Sequence, residues 1–369
     1  MLTGPLVIFV RNSLYCSCLA LCASAALFSV CSVAQIPDKG FFVGKTVNIY
    51  IGRGPGSGTD IALRTFIDHW QNHIPGQPTM VIRNIPGGGG TRVWNFGYER
   101  ARPDGLTILF SPFSGTAEIL QLPGLRADFS KMPLIGGLKS PNLVYVRRPD
   151  VRKPSDLLKI KGIKYAGQSP AHHYDILGRL ALDMLGLDYV YVTGFSGADA
   201  AFNAVRRGEL EMQTAGLTLY RFSIEQTLVE TGEAIPLWHN PRVDRDGNVV
   251  PEEAAEGIPT FVDIYRELMG KEPSGEDFES YKWLQPTINT FGHAAFLPPG
   301  SPMTAVQMLR QSFQVTSEDD NYRADEDKLF GVRMPLIDHE EGTRIIRQMK
   351  EPPDHVRKLL ERYARWRSP

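Results

Sequence analysis

No cysteine follows Cys31: all four, Cys16, Cys18, Cys22 and Cys31, fall within the first 34 of 369 residues. If that segment is removed, disulfides, thiol catalysis and cysteine-ligated metal go with it, and a packed core must hold the fold. An excess of one charge sign is missing too. With 40 Lys and Arg against 41 Asp and Glu, the chain lacks the basic footprint of a nucleic-acid binder. Beyond the N-terminus no run approaches the roughly 20 apolar residues that a membrane span needs. There is no Gly-x-Ser-x-Gly elbow and no glycine-rich loop ending in Gly-Lys-Ser/Thr, so neither a hydrolase nor a P-loop is signalled. No pair of carboxylates is spaced for acid–base work.

The first 34 residues carry Arg11, no acid, and an apolar stretch from Leu14 to Val30. This is the pattern of a secretory signal peptide, with cleavage expected after Ala34 so that Gln35 begins the mature chain. A retained anchor is the alternative, although about 17 apolar residues rich in Ser and Cys are short for spanning. Removal leaves 335 residues with 39 basic and 41 acidic side chains, a length for two domains.

What the sequence does have is glycine at strand ends. Val47 to Ile51 alternates as a strand, and Gly52-Arg53-Gly54-Pro55-Gly56-Ser57-Gly58-Thr59-Asp60 leads into a helix marked by Leu63, Phe66, Ile67, Trp70 and Ile74 on one face. Strands at Thr79 to Arg83 and Leu106 to Phe110, with a short helix from Arg92 to Arg100, continue a βαβ alternation that predicts a parallel α/β sheet. After a strand at Asn142 to Val146 the pattern restarts. Ile163 to Ala166, His173 to Leu185, Tyr189 to Val192 and Ala198 to Arg207 repeat strand and helix, so two lobes are expected. Residues 240 to 257 read as a surface insertion, Phe291 to Leu297 as a buried strand, and the remainder as helices.

The first loop exposes backbone N–H groups at a helix start, where an anion gains hydrogen bonds and dipole attraction together. Dinucleotide registers fail, because the third glycine position falls on Ser57 or Thr59. What remains is a carboxylate-sized anion site or a turn made tight for packing. Ser57 and Asp60 stand close to a capping box, which gives Asp60 a plain helix-start alternative. Arg53, the loop's one cation before Asp60, either grips a carboxylate or is a solvated loop arginine. His172 and His173, after Ser169-Pro170, either line a pocket or solvate their loop. His69 and His73 lie at i, i+4, but Trp70 stands where a zincin needs its glutamate.

The ordered set IYIGRGPGSGTD (Ile49 to Asp60), RNIPGGGG (Arg83 to Gly90), ARPDGLTIL (Ala101 to Leu109) and VTGFSGADAAFNAVRRGE (Val192 to Glu209) resembles the Bug-type receptors, the extracytoplasmic solute-binding proteins of tripartite tricarboxylate transporters. Gly257-Ile258-Pro259-Thr260-Phe261 and Leu297 to Pro302 extend the likeness over nearly the whole mature chain. The resemblance implies a two-lobed type II periplasmic-binding-protein fold of α/β class, each lobe a mixed, mostly parallel sheet flanked by helices. Lobe 1 would take 41–147 plus 292–369, and lobe 2 would take 148–291. It further implies no cofactor, no metal and no catalysis, and a monomer that binds a carboxylate and delivers it to membrane permease subunits; a periplasmic sensing subunit of the same fold is the alternative. Carried over residue by residue, the ligand would meet Ser57, Gly58, Thr59 and Asp60, then Ser114, Gly115 and Thr116, then Gln168, Ser169, Ser196, Gly197 and Thr214, with Arg53 and His172 added from the reading above. The chain departs from the family's usual Phe-Pro-Pro-Gly-Gly at Arg53 to Ser57, in the pair His172-His173, and in the 240–257 insertion.

Overall fold

The computed structural model describes residues 40–113, 115–244 and 246–365; the expected signal segment and Ser114 lie outside them. Strands β1 (Thr46–Ile51), β2 (Thr79–Asn84), β3 (Thr107–Pro112), β4 (Leu134–Lys139), β12 (Phe291–Phe296) and β13 (Leu336–Ile337) form one sheet in the order β13-β4-β12-β3-β1-β2. β5 (Asn142–Val146), β6 (Ile163–Ala166), β7 (Tyr189–Val192), β8 (Met212–Gly216) and β9 (Ile235–His239) form the second, in the order β7-β6-β8-β5-β9. Both are mixed. β1 runs parallel to β2 and β3, while β12 is antiparallel to β3 and β4. β6 runs parallel to β7 and β8, while β5 is antiparallel to β8 and β9. The expected α/β class with two sheets is what forms.

Local chemistry accounts for these elements. In β1 the β-branched side chains Val47, Ile49 and Ile51 are fully buried while their neighbours are not, the period of two that a sheet face requires. Helix α1 (Gly58–His73) buries Leu63, Phe66, Ile67 and Trp70 on one face against the helix Met303–Glu318. There Phe66 lies 4.5 Å from Phe313 between ring centroids, and the Trp70 indole N–H donates to Ser312 Oγ at 2.8 Å. Each such ring contributes about 1.5–3 kcal/mol by burial. Helices α2 (Thr91–Glu99), α3 (Gly115–Ile119), α4 (His173–Met184) and α5 (Ala198–Arg206) complete the crossovers that position the site.

The boundary between lobes differs from expectation. The expected lobe 1 includes Asn142 to Val146, yet β5 pairs only within the second sheet, so the chain passes from one sheet to the other at Ser140-Pro141. A strand's lobe depends on its partner, which its own residues do not name. The return passage ends at Gly292. A Cβ there would stand 2.2 Å from Ser140 Cβ and 2.7 Å from the Ser140 nitrogen, so the two crossings touch through a missing side chain. Buried amides fasten them further. Asn142 donates to Asn289, Asn240 donates to Asn142, and the Tyr281 hydroxyl donates to Asn240 Oδ1 at 2.7 Å. We expect Gly292→Ala to cost about 1–3 kcal/mol by overpacking, read as a lower denaturant midpoint.

The segment read as an insertion contains a small hairpin, β10 (Arg242–Val243) with β11 (Val249–Val250). Its turn is held by Asp244, whose Oδ1 accepts from the nitrogens of Asp246 and Asn248 at 2.9 and 2.8 Å. No helix among the described residues is long and apolar enough to cross a membrane.

Candidate functional site

A cleft of about 770 Å³ is lined from both lobes by strand-to-helix loops. Lobe 1 supplies the loop Gly52 to Thr59, the turn Pro86 to Gly89, and Gly292 and His293 from β12. Lobe 2 supplies Gln168, Ser169, His172, His173 and Tyr174 at the start of α4, and Phe195 to Ala200 with Asn203 at the start of α5. Gly87 to Gly90 all have positive φ, between 61° and 119°, so this stretch of bare backbone is open only to glycine.

Three helix starts are built around an aspartate in the first turn, where the helix dipole favours a negative charge. In α1, Asp60 turns its carboxylate back on its own loop, accepting from Gly56 N at 2.9 Å, Arg64 Nε at 2.8 Å and Asn84 Nδ2 at 2.7 Å. The same Asn84 amide donates to the Arg53 carbonyl at 2.8 Å. Those bonds hold the Asp60 carboxyl below its ordinary value although burial pushes the other way. In α4, Asp175 Oδ2 accepts from Ser169 N at 2.9 Å and from the Tyr191 hydroxyl at 2.8 Å. Burial dominates here and lifts the carboxyl to about 7. In α5, Asp199 behaves differently. Its Oδ1 accepts from Gly58 N at 3.4 Å, across the cleft at the first residue of α1.

Arg53 lies partly buried in the cleft wall, and its guanidinium has no hydrogen bond or ion pair among the described residues. Burial is the main influence lowering its pKa, countered by the nearby Tyr174 and Asp199. Three imidazoles surround it. His172 and His173 stack with ring centroids 4.7 Å apart. Burial first, and the Arg53 charge among the lesser causes, holds His172 far below its ordinary value and lowers His173 and His293 to about 3. His173 is 8% exposed and His293 4%, yet His173 Nε2 and His293 Nδ1 have no partner among the described residues. Such buried orphan nitrogens cost about 1–3 kcal/mol each unless a ligand or ordered water completes them. A fixed cation beside neutral imidazoles, each with one ring N–H to donate, can receive an anion.

Of the residues anticipated from the sequence, the cleft brings together Arg53, Ser57, Gly58, Thr59, Gln168, Ser169, His172, Ser196 and Gly197. Ser57 also caps α1, its Oγ accepting from Asp60 N at 3.2 Å. Asp60, Gly115, Thr116 and Thr214 do not line it. Asp60 braces the loop from behind, and Gly115 packs on Ile288 and Met349. Thr116 is buried with its hydroxyl unpartnered, and Thr214 meets the Tyr165 hydroxyl at 2.7 Å under α4. His293, Tyr174, Asp199 and Asn203 were missed. A lone histidine in the apolar strand Phe291 to Leu297 was the available signal for the first. His69 and His73 instead bond Asp325 and Asp319 at 2.8 and 2.9 Å, and no cluster among the described residues is placed to hold a metal.

The buried imidazoles set a pH dependence. An unfolded histidine protonates near 6.5, but His293 stays neutral to about 3. The unfolded chain therefore binds the extra proton first, and stability falls as pH drops from about 6.5 toward 3. Asp175, lifted to about 7, acts oppositely: its contribution is complete below the ordinary carboxyl range and is lost as pH rises through about 7. In His293→Gln the acid-side loss should be shallower by up to about 1.4 kcal/mol per pH unit, measured by denaturant melts from pH 4.5 to 7.

No family model matches the chain, nor does any curated protein sequence. Solved structures do match. The periplasmic binding protein BugD aligns at 18% identity and a TM-score of 0.63, over 87% of this chain and 98% of its own. MatC from Rhodopseudomonas palustris, with bound malate, aligns at 18% and 0.60 over 87% and 98%. Rpa4515 from R. palustris, with adipate, aligns at 16% and 0.64 over 86% and 98%. At these identities the likeness is one of architecture: the chain has the two-lobed type II fold of the periplasmic solute-binding proteins.

Proposed function

We propose that the chain is an extracytoplasmic receptor that captures a small organic acid between its lobes and delivers it to the membrane permease of a tripartite tricarboxylate-type transporter. The observation that carries this reading is the unpaired Arg53 guanidinium, set in the cleft beside the orphan nitrogens of His173 and His293. Structures of the same fold hold malate and adipate, which supports a carboxylate as the ligand. The ligand-facing residues in this reading are Arg53, Ser57, Gly58, Thr59, Gln168, Ser169, His172, His173, Ser196, Gly197 and His293. Export of the mature chain after loss of residues 1–34 belongs to the same proposal.

Binding alone accounts for the donors. A micromolar ligand needs about −8 kcal/mol, and bonds to a charged group supply about 1.5–3 kcal/mol each. Four such bonds at the upper end give about 12 kcal/mol, which leaves about 8 after the smallest cost of association, about 4 kcal/mol. Calorimetric titration with mono-, di- and tricarboxylates is the test. At least one should bind in the micromolar range, and no heat from any of them would contradict the reading.

A further inference from the structure

The cleft lining holds two fixed charges, Arg53 and Asp199, and they are of opposite sign. The guanidinium feels the Asp199 carboxylate, but no ion pair joins them, so a gap remains between cation and anion. Asp60 and Asp175 are each consumed by their own loops. Asp199 is not: its one hydrogen bond among the described residues is to Gly58 N at 3.4 Å, on the opposite lobe. The protein thereby places a carboxylate of its own at the start of α1, where a second ligand carboxylate would otherwise find a helix N-terminus. The Arg53 end is different, for there His173 Nε2 and His293 Nδ1 are buried with no partner among the described residues, and each can donate to an anion in the tautomer that protonates it.

We propose that the ligand is a zwitterion, with one carboxylate at Arg53, His173 and His293 and an ammonium facing Asp199, and that Asp199 selects against di- and tricarboxylates. This rests on the reading of the cleft as a carboxylate site and narrows it. A second ligand carboxylate beside Asp199 would meet a like charge in a partly desolvated cleft, and this repulsion is how a site rejects a near-isostere. An ammonium would complete the charge pattern instead.

Matched pairs test it: succinate with 3-aminopropanoate, glutarate with 4-aminobutyrate, and adipate with 5-aminopentanoate, each pair differing by carboxylate for ammonium. In calorimetry the wild-type protein should bind the amino member of at least one pair about tenfold tighter or more. Asp199→Asn keeps an oxygen for Gly58 N. It should reverse that ranking, strengthening the dicarboxylate and weakening the amino acid by about tenfold each. Asp199→Ser, with thermal melts of both variants, guards against a folding defect. Preference of the wild-type protein for dicarboxylates in every pair, or a ratio unmoved by Asp199→Asn, overturns the inference and leaves the carboxylate reading standing. Binding of no carboxylate at all overturns both.

Discussion

Replacing Arg53 by methionine should weaken carboxylate binding about 100-fold while leaving the melting temperature unchanged or higher. A guanidinium that makes two charge-assisted bonds to a carboxylate accounts for about 3 kcal/mol of binding, which is about two powers of ten in Kd. In the unliganded protein the same group is a partly buried cation with no counter-ion in contact, and its solvation is poor. Methionine keeps the length and removes that cost. Stability and affinity should therefore move in opposite directions, which a residue needed only for folding would not do. Calorimetry with thermal melts of both proteins reads the two effects separately.

Asp60→Ala should cost about 3 kcal/mol of stability and also weaken the ligand, although Asp60 does not line the cleft. Its carboxylate, 1% exposed, ties together Gly56 N, Arg64 and Asn84. Removing one member of such a buried set leaves the rest unpaired, at about 3–5 kcal/mol. The lower end applies because Arg64 is 38% exposed and recovers water. Without Asp60, Asn84 no longer has a fixed position from which to hold the Arg53 carbonyl, so the loop that presents the guanidinium loosens. Asp60→Asn keeps an acceptor and should recover part of both losses. Chemical denaturation gives the first number and calorimetry the second.

Much of this was readable in the chain. The alternation at Val47 to Ile51 and the Leu63, Phe66, Ile67, Trp70 stripe place a strand and a helix within a few residues of β1 and α1, because burial of one face dictates both periods. The glycines between them announce exposed backbone, and that loop does line the cleft. Less legible was which side chains would look inward. Asp199 falls in the expected helix Ala198 to Arg207 with no role signalled, since nothing local says that its neighbour across the cleft is Gly58, 141 positions away. His293 depends on β12 inserting between β3 and β4, a pairing that no residue of the strand encodes alone. The assignment of Asn142 to Val146 failed for the same reason. Asn84, at the end of β2, links Asp60 to the Arg53 carbonyl through bonds spanning 24 and 31 positions, beyond the reach of any motif.

In the liganded protein the ligand's negative charge should sit at Arg53 and the two orphan imidazoles. A crystal structure with a bound carboxylate tests that most directly. The prediction is a carboxylate oxygen within about 2.7–3.2 Å of the Arg53 guanidinium and of His173 Nε2 or His293 Nδ1. A ligand whose carboxylates all lie elsewhere in the cleft, with Arg53 still unpaired, would contradict it.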